Sequence, residues 1–138
     1  MHHSPVPQFH LEAHPGPYPP GAQPVDGWWS RAAWLPVLGP SAWVLWAELA
    51  AIAAEGPAVL DYDDLAGRVG LQARRLRYPL ERIEQFRLVD QPRPDCFRVR
   101  TSAGPLGRRT LRRHPRDDVA EGQERLFGHS VSSTARTA

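Results

Sequence analysis

Three groups of arginines carry most of the chemistry this sequence offers. Arg74, Arg75 and Arg77 crowd into four positions, Arg98 and Arg100 alternate, and Arg108, Arg109, Arg112 and Arg113 repeat at i, i+4. A guanidinium is a planar fork of donors that fits a phosphate or the edge of a guanine. All 17 basic residues of the 138-residue chain are arginine. The absence of lysine excludes a Walker-type phosphate loop, a Schiff-base enzyme and a Ser-x-x-Lys nucleophile. A single cysteine, Cys96, excludes an internal disulfide and any multi-cysteine zinc or iron–sulfur site.

The formal charge of +2 hides a strong asymmetry. Residues 1–60 carry −3 and residues 61–90 balance to 0, whereas 91–116 hold eight arginines against Asp95, a net +7, and 117–138 carry −2. Clustered arginine is what phosphate binding requires, because each neutralised phosphate releases counterions. The competing reading has these arginines solvated or paired with Asp and Glu. Glu81 and Glu84 favour it, since acids on a groove-facing helix repel phosphate.

Other reactive residues point to less. His10 and His14 stand at i, i+4, but the acid between them does not match His-Glu-x-x-His, and prolines surround them. Asp61, Asp63 and Asp64 read as helix caps. No Ser-His-Asp spacing is present, so the expectation is no enzyme, no metal and no cofactor.

The elements that position the arginines follow from periodicity and stop signals. Residues 1–26 contain seven prolines and few aliphatic side chains, which predicts a disordered tail, partly polyproline-II. Residues 128–138 predict a second loose tail, leaving 27–127 as the folded domain. Gly39-Pro40 opens a helix over 41–54 and Glu55-Gly56-Pro57 closes it. Only Ser41 and Glu48 are polar in that span, which places the helix at the centre of a core or in a dimer interface. A short strand follows over 59–62. A helix comes next, capped by Asp61 or Asp63, with Leu65, Ala66 and Val69 on its core face and Gly70 as its stop. Leu76, Leu80 and Ile83 share one helical face. Pro79 either begins that helix or kinks a longer one that starts at Ala73. Strands over 88–91 and 97–101 flank a turn at 92–95. Period two sets Phe97, Val99 and Thr101 on one side and Arg98 and Arg100 on the other. Helices over 105–114 and 116–127 complete the chain.

Helix, short strand, helix, turn, helix, hairpin is the order of a winged helix-turn-helix domain, mainly α with a small β-hairpin wing in an α+β class. Particular residues strengthen that reading. The run Asp63-Asp64-Leu65-Ala66-Gly67-Arg68-Val69-Gly70-Leu71 resembles the helix-turn segment of bacterial winged-helix regulators. Leu80-Glu81-Arg82-Ile83-Glu84-Gln85-Phe86-Arg87-Leu88-Val89 is similar to the end of their recognition helix, with Arg87 where that pattern carries glycine. Trp34-Leu35-Pro36-Val37-Leu38-Gly39-Pro40-Ser41-Ala42-Trp43 resembles the opening of small actinobacterial proteins of this build.

The resemblance implies a transcriptional regulator that binds double-stranded DNA, commonly as a homodimer. Arg74, Arg75, Arg77, Arg82 and Gln85 would serve the recognition helix, and Arg93, Arg98 and Arg100 the wing. The five tryptophans lie between positions 28 and 46. They read as core or as partner surface, with Trp34, Trp43 and Trp46 as candidates for a dimer or partner interface. The alternative function is a winged helix that docks on another protein through those tryptophans and does not bind DNA. The apolar stretch over 32–54 is broken by Pro36, Pro40 and Glu48, so no membrane span is expected. A lone thiol and no secretory signal lead to a cytoplasmic expectation.

Overall fold

The computed structural model describes residues 8–128. The elements, in chain order, are β1 (Gln8–Ala13), β2 (Gln23–Pro24), α1 (Trp28–Leu38), α2 (Pro40–Ala54), β3 (Ala58–Asp61) and α3 (Tyr62–Arg68). A 3-10 turn at Ala73–Arg75 leads to α4 (Arg77–Gln85), β4 (Val89–Arg93), β5 (Cys96–Val99), β6 (Ser102–Ala103), α5 (Arg108–Arg112) and α6 (Asp117–Phe127). The class is mixed α and β: the described residues form six helices, a four-stranded sheet of order β3-β1-β5-β4 and a two-stranded pair of β2 with β6.

The N-terminal segment corrects the expectation of a tail over 1–26. Its first seven residues lie outside the described residues, as do 129–138. From Gln8 onward the chain is a strand, and an interior one. Phe9 pairs with Leu60 of β3 in antiparallel register, and Leu11 pairs with Phe97 of β5 in parallel register. The prolines bracket this strand and never interrupt it. In Gln-Phe-His-Leu-Glu-Ala the apolar residues alternate, and Phe9 and Leu11 are almost fully buried. That burial stabilises the fold by about 1.5–3 kcal/mol per side chain. The segment beyond also lies against the fold. Val25 is buried, Gln23 and Pro24 pair with Ala103 and Ser102, and the Ser30 hydroxyl donates to the Pro24 carbonyl at 2.6 Å.

Helix α2 is the axis of the core and packs on α1, α4, β1 and β5. Pro40 occupies its first turn, where no N–H partner is lost. The α1–α2 joint turns at Gly39, whose φ of 89° suits a residue without Cβ. Trp34, Trp43 and Trp46 are buried here, so the expectation that they form a dimer or partner interface is corrected. Trp46 meets Trp34 and Trp43 edge-on at 5.7 and 5.9 Å. Buried indoles need acceptors for their N–H groups. The Trp46 indole donates to the Arg100 carbonyl at 2.9 Å and that of Trp34 to the Gly104 carbonyl at 3.1 Å. The exposed tryptophan is Trp28.

Asp61 caps α3 by accepting from the Asp64 amide at 2.6 Å. At the other end of the chain, α6 closes over α1 through Trp29, whose ring lies 5.2 Å from Phe127. The buried Gln123 side chain both accepts from and donates to the backbone of Leu106, which fixes the approach to α5. Helix α5 is shorter than the 105–114 expected.

Candidate nucleic-acid interface

Helix α4 is amphipathic in the strict sense. Leu76, Pro79 and Ile83 are buried and Leu80 is half-buried, all toward the core. Arg77, Tyr78, Glu81, Arg82 and Gln85 point outward, and the 3-10 turn adds Arg74 and Arg75. The Pro79 question resolves into neither expected form. Helix α4 begins at Arg77, two residues earlier, and Pro79 sits third in the first turn, where its missing N–H has no helical partner to lose. Leu76 keeps right-handed helical angles and joins the 3-10 turn to the helix.

The outward residues differ in what holds them. Arg77 bonds Glu81 at 2.9 Å, which partly neutralises it. Arg82 donates to the Val37 carbonyl at 2.7 Å and to Gln85 at 3.3 Å, and its guanidinium lies 5.0 Å over the Phe86 ring. Arg82 and Gln85 are thus tied to each other, and Arg82 also to the end of α1. Burial, with Glu81 nearby, lifts the Glu84 carboxyl above its usual range. Among the described residues, Arg74 and Arg75 form no side-chain ion pair or hydrogen bond. Tyr78 is 80 % exposed. Sequence reasoning did not select Tyr78, although its position two residues beyond Leu76 already turns it away from the core face.

The β4–β5 hairpin behaves otherwise. Arg98 makes a paired bond to Asp90, both contacts at 2.9 Å. This bonding holds the Asp90 carboxyl below the carboxylate range despite burial. His14 stands 3.5 Å from the same carboxylate. Burial first, then the Arg100 charge, depresses the His14 imidazole, while Asp90 opposes the shift. Its Nδ1 accepts from the Gly16 amide at 3.0 Å, so the neutral ring is the one bonded there. Arg100 donates to the Pro17 carbonyl at 2.8 Å and lies 5.3 Å over the Tyr18 ring. Arg98 and Arg100, expected to reach outward, are instead held within the molecule: Arg98 ties β5 to β4 through Asp90, and Arg100 fastens the N-terminal segment at Pro17 and Tyr18. Arg93 is exposed near the hairpin tip, where the neighbouring Cys96 sulfur raises its guanidinium further.

A third arginine group lies on α5 and just past it. Arg108, Arg109, Arg112 and Arg113 are exposed and form no ion pair among the described residues. Two acids of α6 are taken by other arginines: Asp118 pairs with Arg116 at 2.7 Å and Glu121 with Arg125 at 3.8 Å. His114, just past α5, contacts the Ala33 carbonyl at 2.9 Å, while Arg82 of α4 reaches Val37 one turn further along α1. The end of α5 and helix α4 therefore border the same stretch of α1.

No family model, no curated protein and no solved structure matches the chain. What it does is therefore read from its own geometry.

Proposed function

We propose that the chain is a winged-helix protein that binds double-stranded DNA, with α4 as recognition helix and β4–β5 as the wing, and that it acts as a transcriptional regulator. One observation carries this reading. Arg74 and Arg75 stand unpaired and outward at the approach to α4, beside Tyr78, while the opposite side of α4 is anchored in the core. Residues near the start of a recognition helix are the ones that reach base edges. The order α2, β3, α3, turn, α4, β4, β5 supports the same assignment.

Arg77, Arg82 and Gln85 flank the contact, with Arg82 and Gln85 setting the helix rather than reading bases. Arg93 and the four arginines around α5 supply phosphate contacts. Arg98 and Arg100 are left out, because both are spent on intramolecular bonds. Helix α4 has nine residues and is about 13 Å long, so one copy reads a short half-site and a homodimer the full site. No helix among the described residues is long and apolar enough to cross a membrane, and we place the protein in the cytoplasm. The alternative, docking on a protein through the tryptophan cluster, is left with the exposed Trp28, since Trp29, Trp34, Trp43 and Trp46 are buried.

Fluorescence anisotropy with mixed-sequence duplexes at several salt concentrations tests the reading. Affinity should fall steeply with salt and weaken in the Arg74→Ala, Arg75→Ala double variant. An affinity indifferent to both would remove DNA from the proposal.

A further inference from the structure

A cleft of about 600 Å³ opens between the α1–α2 joint and the foot of α4. Its inner surface is apolar: Leu38, Ala42 and Pro79 are buried, and Leu71 is half-buried. Its rim carries Arg74, Arg75 and Tyr78, all exposed, with Arg82 also lining it. No lining residue is acidic. Other clefts of similar size differ in this respect. Those beside β1 include Glu12 with Asp95 or Glu55, and the one on the outer side of α4 includes Glu81 and Glu84.

We propose that this cleft binds a small organic anion with a flat apolar body, its anionic head held between Arg74 and Arg75. The volume lies within the range of small-molecule sites, which combine an apolar lining with a few convergent polar groups. Two guanidinium groups on the rim of one cleft, without carboxylate partners among the described residues, keep their donors for an anion. The apolar wall of Leu38, Leu71 and Pro79 accepts a ring system, against which the Tyr78 ring can pack. The first turn of α2 faces the same space through Ser41 and Ala42. It contains no acidic residue and has no side-chain cap, so nothing there opposes an anion. A consequence rests on the DNA reading: Arg74 and Arg75 cannot serve the anion and a phosphate or base at once, so the ligand displaces DNA.

The test uses the full chain and three probes: 2-naphthoate, its uncharged analogue 2-naphthalenemethanol, and inorganic phosphate. In 1H–15N spectra, 2-naphthoate should give saturable shifts at Gly39, Ser41, Ala42, Leu71 and 74–82. The uncharged analogue and phosphate should each bind at least ~10-fold more weakly, a difference of about 1.4 kcal/mol. Arg74→Gln with Arg75→Gln should lower naphthoate affinity by a similar factor and leave the melting temperature unchanged. Shifts scattered over the surface overturn the site, as does equal affinity for the uncharged probe, equal affinity for phosphate, or indifference to the double variant. A separate arm measures duplex binding by anisotropy. At ten times its own Kd, naphthoate should raise the apparent Kd for DNA about 11-fold. Naphthoate binding without DNA binding keeps the cleft and removes the DNA reading, and DNA binding without naphthoate binding does the reverse. Both ligands bound without competition overturns the displacement.

Discussion

The approach to helix α4 and the β4–β5 hairpin both carry clustered arginines, yet of the two only the approach, in its 3-10 turn, leaves a pair of them unengaged. Arg98 and Arg100 meet Asp90, Pro17 and Tyr18, while Arg74 and Arg75 meet no partner among the described residues. The difference is one of neighbours. Asp90 of the hairpin itself takes Arg98 and the N-terminal segment lying along it takes Arg100, whereas among the described residues nothing bonds Arg74 or Arg75. Charge counted along a sequence thus locates arginines, but only packing tells which of them remain free for a ligand.

The sharpest way to break this contrast is to remove the segment that engages the hairpin. Leu11→Ala should destabilise the fold by about 2–5 kcal/mol in urea denaturation, as a buried leucine does. A loss under about 0.5 kcal/mol would return the segment to the status of a tail. Next in size, Arg74→Ala with Arg75→Ala should cost about 2 kcal/mol of DNA affinity, near 30-fold, and flatten the salt slope by about 1.8. Folding stability should stay within about 0.5 kcal/mol, as expected for surface arginines without partners. Arg98→Ala should show the opposite profile. It should lower the melting temperature slightly, since the Asp90 pair is partly solvated, and change DNA affinity less than twofold.

Between the two regions sits Arg87, with φ of 60° in the left-handed region. The turn that glycine usually makes is kept by arginine at a conformational cost. Arg87→Gly should therefore stabilise the joint by about 0.5–1 kcal/mol in thermal denaturation. The smallest effect concerns pH. His14 titrates below its ordinary value of 6.5 in the folded chain. Its contribution is fully present above that value and declines as pH falls toward the folded pKa, because the unfolded chain protonates first. The melting temperature should drop between pH 7.5 and 5.5, and less so in His14→Ala.

Local features were legible in the sequence. The limits of α2, the Asp61 cap and the inward face of Leu76, Leu80 and Ile83 depend on residues within a few positions of one another. Features that depend on distant pairing were not. Strand β1 alternates cleanly over six residues, but a proline count taken across 26 concealed it. The Asp90–Arg98 pair was hidden by register. The hairpin turn occupies Pro94 and Asp95 rather than 92–95, and β4 bulges by one residue between Asp90 and Arg93, around Pro92, which has no N–H for the ladder. That extra residue brings Asp90 opposite Arg98. The tryptophans were ambiguous because composition alone does not reveal which carbonyls await their N–H groups.

Strand β1 also sets an order of assembly. It leaves the ribosome long before β5, which closes one of its flanks. Closing so long a loop is entropically slow, and contacts of that span form after local ones. The nascent chain can build α1–α4 and the antiparallel β1–β3 pair early, but it holds the other edge of β1 open until 96–99 emerge. A fusion partner placed directly before Gln8 would burden this waiting edge.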